Sequence, residues 1–200
     1  MTSGEASLPV IECVSQMEEG GHILSKWVDK MMPDEYVASI YDIDLEKLVH
    51  QGKKLILTDL DNTLVPWNHP AAPIELTEWL IQAQKIGFTV CIFSNNKGDR
   101  VDKFSTRVGI PAISKAKKPN PRMYFEALKK FNVQPKEAVM VGDQLLTDIR
   151  GGKQAGLYTI LVLPIHPKEW WGTRFNRKIE RVVMRRLLRR GLVVPRRRSE

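Results

Sequence analysis

Leu55-Ile56-Leu57-Thr58-Asp59-Leu60-Asp61-Asn62-Thr63-Leu64 runs an apolar strand into two carboxylates spaced i and i+2, with turn-forming polar residues at once behind them. In an open α/β sheet the carboxyl end of a strand is where ligands bind. Two aspartates placed there repel one another unless a cation or an incoming group compensates, which points to a metal-dependent phosphate site. Taken alone, the run reads equally well as a strand closed by an Asp-rich turn.

Strand and helix patterns alternate outward from this stretch. Apolar runs at 54–60, 88–94, 112–114, 138–142 and 158–163 read as strands, and helical spacing covers 74–86, 99–108, 121–131 and 146–155. Continuous apolar strands separated by amphipathic helices imply a parallel sheet covered on both faces. Right-handed crossovers then give an α/β, doubly wound three-layer sandwich with a mostly parallel five-stranded sheet. Upstream, Asp34 is expected to cap a short helix through Ile40, and Asp44 another through His50. The domain expected over 33–172 is preceded by a weakly ordered extension, 1–32, and followed by a basic helix and tail, 173–200. Met31 and Met32 stand just before the domain, so the extension is expected to be dispensable.

Three further motifs fall just past strand ends. In Ser94-Asn95-Asn96, a hydroxyl followed by amides at the start of a helix suits phosphate oxygens, although Ser94 can equally be a helix cap. Lys117-Lys118-Pro119-Asn120-Pro121 holds lysines beside rigid prolines, where Lys118 can neutralise a phosphoryl group. Gly142-Asp143 closes the fourth strand. There Gly142 permits a close backbone approach, Asp143 can reach a cation, and Asp148 can hold a neighbouring site group. An acidic helix start is the plainer account of those aspartates. Four such coincidences in order, each at a strand end, favour a site.

Together DLDNTL, SNN, KKP and GDQLLTD resemble the four motifs of the haloacid dehalogenase (HAD) superfamily of aspartate-nucleophile phosphatases, over about residues 55–163. Pro33-Asp34-Glu35-Tyr36 and Tyr41-Asp42-Ile43-Asp44 upstream, with Thr173-Arg174-Phe175-Asn176-Arg177 downstream, extend the likeness. The wider pattern is similar to the YqeG-type subfamily IIIA phosphatases, relatives of mitochondrial phosphatidylglycerophosphate phosphatases. The resemblance implies a HAD-like Rossmannoid fold with Asp59 as the nucleophile that forms an aspartyl-phosphate, and Asp61 as general acid, then base. It implies Mg²⁺ held by Asp59, the backbone carbonyl of Asp61 and Asp143. It places the phosphoryl oxygens on Ser94, Asn95 and Lys118, with Asp148, Thr63 and Gly142 in support. Many relatives carry a cap domain after the first or second motif, and this chain has no room for one. An uncapped site is open to phosphate carried on something large. Val65-Pro66-Trp67-Asn68-His69 borders the first motif, where Trp67 either contacts substrate or packs.

Composition fits a globular chain, at 42% hydrophobic and 27% charged residues over 200. No apolar run is long enough to span a bilayer and no signal-peptide core opens the chain, so a cytoplasmic location is expected. Cys13 and Cys91 lack metal or disulfide spacing, and the four histidines are scattered. The net charge of +8 is concentrated: residues 174–198 hold eleven Lys or Arg and one acid, Glu180. In a helix from Thr173, Phe175, Ile179, Val182 and Val183 share one face, with Arg174, Arg177, Lys178, Arg181 and Arg185 opposite. That segment either lies peripherally on an anionic membrane surface or docks its apolar face on the domain.

The favoured substrate by resemblance is phosphatidylglycerophosphate, cleaved to phosphatidylglycerol at the inner membrane face. Phosphatase action on a protein, nucleotide or nucleic-acid end stays open, as does a basic RNA- or ribosome-binding module with an incidental site. Nucleic acid is the weaker partner, because no RNA-binding motif with stacking aromatics appears. A two-component receiver domain also uses an aspartyl-phosphate, but gives no reason for two aspartates on the first strand.

Overall fold

Parallel pairing organises the whole molecule. The protein is seen in a computed structural model that describes residues 27–67, 71–166 and 174–196, with side chains in the last segment from 179 onward. Six strands run β1 Glu35–Val37, β2 Leu55–Thr58, β3 Thr89–Phe93, β4 Ala112–Ile113, β5 Ala138–Gly142 and β6 Tyr158–Val162. Their order across the sheet is β1-β6-β5-β2-β3-β4, every neighbouring pair parallel. The helices are α1 Leu45–His50, α2 Ile74–Lys85, α3 Gly98–Val108, α4 Pro121–Phe131, α5 Arg150–Gln154 and α6 Arg174–Arg189.

The strand period of two divides the core. Ile56, Val90, Ile92 and Val139 face one way, onto Leu48, Leu76, Trp79, Leu80, Val101 and Phe104 of α1, α2 and α3. Leu55, Leu57, Phe93 and Met140 face the other way, onto Tyr124, Ala127 and Leu128 of α4 and Ala155 after α5. Cys91 lies in that second layer, fully buried, with its thiol pushed up to about 12 by burial. It is a small core hydrophobe. Cys13, His22 and His69 lie outside the described residues.

Four expectations change. The sheet has six strands and not five, because the stretch after Asp34 is an edge strand and no helix. The Asp34 carboxylate accepts from the Thr159 N–H at 2.7 Å and its hydroxyl at 3.0 Å, and pairs with Lys153 Nζ at 2.6 Å. That anchor lays Tyr36 and Val37, both good strand formers, beside β6. Asp44 does cap α1, accepting from the Lys47 N–H at 2.9 Å.

Second, the helix expected at 146–155 is divided into a π-turn, Leu145–Ile149, and the short α5. Ile149 N–H reaches back five residues to the Gln144 carbonyl at 3.3 Å. Such widened turns are frequent at functional sites. Third, the core begins before residue 33. Val28 and Met31 are fully buried against Leu145, Ile149 and Leu161, so at least 27–32 belong to the packed unit, while 1–26 lie outside the described residues.

Fourth, the buried stripe of α6 is Ile179, Glu180, Val183 and Leu187, whereas Val182 is exposed. Positions 180, 183 and 187 follow the i, i+3, i+7 helical spacing, and Val182 falls off that line. The apolar face docks on Leu145 and Ile149 of the π-turn, and Arg181, Arg185 and Arg189 face outward. Phe175 and the basic residues before Ile179 have side chains outside the described set, as do Trp170 and Trp171.

Candidate active site

β2 is central, with β3 on one side and β5 on the other, so the chain reverses its direction of winding across this strand. The carboxyl ends at such a reversal form a crevice. Asp59 follows β2 and its N–H bonds the Val141 carbonyl of β5 at 2.9 Å. Asp143 follows β5, while Ser94 follows β3, and all three are buried. Lys118 arrives from the loop before α4, its side chain enclosed. Lys118 Nζ lies 2.6 Å from Asp59 Oδ1 and 2.7 Å from Asp148 Oδ1.

The electrostatics follow from this burial. Burial alone would lower the Lys118 ammonium, but Asp148 and Asp59 outweigh it and hold the group above its ordinary value, hence charged. Burial raises the Asp148 carboxyl, against the pull of Lys118. Asp61 is raised by burial and by the Asp59 charge, partly offset by Arg100 and Asn96. A carboxyl shifted upward holds a proton at higher pH than a free aspartic acid, as a general acid requires.

Each expected residue has a definite place. Asp61 Oδ1 accepts from Arg100 Nε at 3.0 Å and Nη2 at 2.7 Å, and Oδ2 accepts from Asn96 Nδ2. Asn62 sits in the left-handed region at φ 63°, which turns the chain between the two aspartates and Thr63. Thr63 Oγ1 lies 3.5 Å from Asp143 Oδ1, at the limit of a hydrogen bond. Ser94 Oγ accepts from the Asn96 N–H at 3.2 Å. A Cβ on Gly142 would stand 2.2 Å from Asp148 Oδ2, so only glycine lets that carboxylate lie against the strand end.

The Asn95 side chain is tied to the lysine loop. Its carboxamide is occupied by the Lys118 backbone, accepting from the N–H at 2.7 Å and donating to the carbonyl at 3.1 Å. It therefore fixes that loop, which bends through a left-handed Lys117 at φ 50°.

Sequence reasoning missed Arg100 and Tyr124, took Asn96 only as part of the amide run after Ser94, and noted Glu180 only as the one acid of a basic segment. Arg100 also donates to the Pro66 carbonyl at 3.1 Å, joining α3 to the loop that carries Trp67, itself partly exposed. The available signal was an arginine in the first turn of a helix, where the dipole disfavours a cation. Tyr124 donates to the Thr147 carbonyl at 2.9 Å, pinning the π-turn from α4. Asn68 and His69 lie outside the described residues.

The donors suit a hard divalent cation. Asp59, Asp143 and the Asp61 carbonyl are all oxygen, and Mg²⁺ is commonly held by one or two carboxylates plus waters and substrate phosphate. Among the described residues no three His, Cys, Asp or Glu side chains form a cage. Asp61 turns its carboxylate toward Arg100, leaving its carbonyl as the group that can contribute. Among the described residues the only helix between β2 and β3 is α2 and the only one between β3 and β4 is α3, and no cap unit stands over the crevice.

Comparison with known proteins follows the same lines. A HAD-hydrolase-like family model matches residues 115–164. The chain is 44% identical over 160 residues to the "Probable phosphatase YqeG" of Bacillus subtilis, covering 80% of this chain and 93% of that protein. It is 29% identical over 178 residues to "Phosphatidylglycerophosphate phosphatase 1, chloroplastic/mitochondrial" of Arabidopsis thaliana, covering 81% of this chain but only 49% of that one. A solved structure of an uncharacterized protein from Listeria monocytogenes serotype 4b matches with TM-score 0.47 at 18% identity, over 66% of this chain and 99% of that chain.

Proposed function

Since the chain belongs to the HAD-like phosphatases of the YqeG type, phosphoric monoester hydrolases that use a divalent cation, we propose that Asp59 is its nucleophile and that its substrate is phosphatidylglycerophosphate at a membrane face. The observation that carries the chemistry is the enclosed Lys118 ammonium bonded to both Asp59 and Asp148 at a strand end. In the first step an Asp59 carboxylate oxygen bonds to phosphorus while the ester P–O bond breaks. Asp61 gives its proton to the leaving oxygen. In the second step Asp61 takes a proton from water, the water oxygen bonds to phosphorus, and the acyl-phosphate P–O bond breaks. Asp59 is restored and inorganic phosphate leaves.

Ser94 and Lys118 bind the phosphoryl oxygens, Lys118 opposing the charge that develops on them. Asn95 and Asp148 hold Lys118 in place. Asp59, Asp143 and the Asp61 carbonyl would hold Mg²⁺, which would supply the charge neutralisation that lets an anionic ester approach.

Support for a lipid-borne ester comes from the uncapped crevice, the outward arginines of α6, and the name of the Arabidopsis relative. No described helix is long and apolar enough to cross a membrane. The test is phosphate release, with Mg²⁺ supplied, from phosphatidylglycerophosphate in mixed micelles and from soluble phosphomonoesters. Preferential cleavage of the lipid is the expected result. Equal rates on soluble esters would refute the lipid assignment, and inertness toward every phosphomonoester would refute the chemistry.

The exposed arginines also favour a second reading, attachment to RNA. Truncating α6 is a poor discriminator, because Val183 and Leu187 belong to the core. Changing Arg181, Arg185 and Arg189 to Gln and titrating salt against anionic vesicles and RNA compares the two surfaces directly.

A further inference from the structure

Glu180 is the one acid in an arginine-rich segment, and it is buried. A carboxylate withdrawn from water is costly unless it is hydrogen-bonded. Its Oε1 accepts from the Leu146 N–H at 3.0 Å. Leu146 is the second residue of the π-turn, whose entry residue Gln144 gives no side-chain cap, so this amide would otherwise be an orphan donor. On either side of the polar contact, Val183 and Leu187 pack on Leu145 and Ile149.

The same turn carries the acidic end of the site. Gly142 and Asp143 stand just before its entry residue Gln144, Asp148 lies within it, and Asp148 Oδ2 accepts from the Gln144 N–H at 3.1 Å. Leu146 is thus three residues from Asp143 and two from Asp148. We propose that Glu180 is a positioning residue for the Asp143–Asp148 loop, so that the basic helix α6 sets how well that loop holds its cation. This rests on the proposed metal role of Asp143. A helix that only covered the core would be served by an apolar side chain at 180.

The test compares full-length wild type, Glu180→Ala and Glu180→Gln in two Mg²⁺ titrations, one reading melting temperature without substrate and the other phosphate release from p-nitrophenyl phosphate. Glu180→Ala should raise the half-saturating Mg²⁺ about tenfold, the low end for residues that orient metal ligands, with KM for the ester unchanged at saturating Mg²⁺. Glu180→Gln keeps an oxygen for the Leu146 N–H and should recover most of the loss. The proposal is overturned if Glu180→Ala lowers the melting temperature but leaves the Mg²⁺ midpoint in place, or if Gln rescues nothing. It is also overturned if Mg²⁺ does not stabilise wild type. Wild type that is stabilised by Mg²⁺ yet cleaves no ester would refute the proposed function alone, and the thermal titration would still judge Glu180.

Discussion

Lys118 shows how much one residue can carry. Its ammonium stands between Asp59 and Asp148, both buried, and compensates two carboxylates at once. Replacing it with Met leaves uncompensated buried charge and should cost about 3–5 kcal/mol of stability at neutral pH, read from urea unfolding. Protonation of Asp148, whose carboxyl burial already holds high, removes part of that charge. The deficit should therefore narrow as pH falls, and a deficit that widened would contradict this ion-pair account. The meeting of Asp59, Lys118 and Asp148 could be anticipated because Asp59 closes an apolar run, Asp148 stands in the turn after another, and Lys118 stands beside rigid prolines before a helix. The bonds of the Asn95 carboxamide were not legible, because only the approach of the Lys118 backbone shows where it goes. Arg100 went unnoticed because its partner, Asp61, is 39 positions away.

Elements were legible wherever pattern and chain ends agreed. α4 runs Pro121–Phe131 as the spacing indicates, with Asn120 accepting from the Arg122 N–H at 3.1 Å and a left-handed Asn132 closing it. The π-turn was not legible, since its register depends on Tyr124 of α4 meeting it from outside. Gly151 is the close approach that permits this: a Cβ there would lie 2.4 Å from the Tyr124 hydroxyl oxygen. Gly151→Ala should cost about 1–3 kcal/mol in thermal unfolding through overpacking. Gly142→Ala should instead cut phosphate release while much of the fold survives, because the atom it displaces is Asp148 Oδ2. If circular dichroism found Gly142→Ala folded and fully active, the tight Gly142–Asp148 approach would carry no function. The edge strand at 35–37 escaped notice for a related reason, being three residues long and fixed by an anchor on distant Thr159.

For the whole molecule, the first and last described segments close over the same side. Val28 and Met31 from one end, with Val183 and Leu187 from the other, cover Leu145, Ile149 and Leu161. A chain beginning at Met32 forfeits the two buried side chains Val28 and Met31 and should lose about 2–5 kcal/mol, whereas one beginning at residue 26 should unfold near the wild-type midpoint. Identical midpoints for both would show that this cover adds nothing. The parallel sheet and its uncapped crevice were readable from strand and helix alternation, whereas the docking of α6 was left between two alternatives. Its buried stripe is interrupted by Glu180, which reads as polar surface until its partner amide is seen.

The account as a whole stands on Asp59 acting as the nucleophile. The most direct measurement is mass spectrometry of an Asp61→Asn variant quenched in acid after mixing with p-nitrophenyl phosphate and Mg²⁺. That leaving group departs without an acid, and the absent base slows hydrolysis of the intermediate. The expected result is a phosphoryl adduct on the peptide that contains Asp59. Release of p-nitrophenolate with no adduct there, or with the adduct on another residue, would contradict the account.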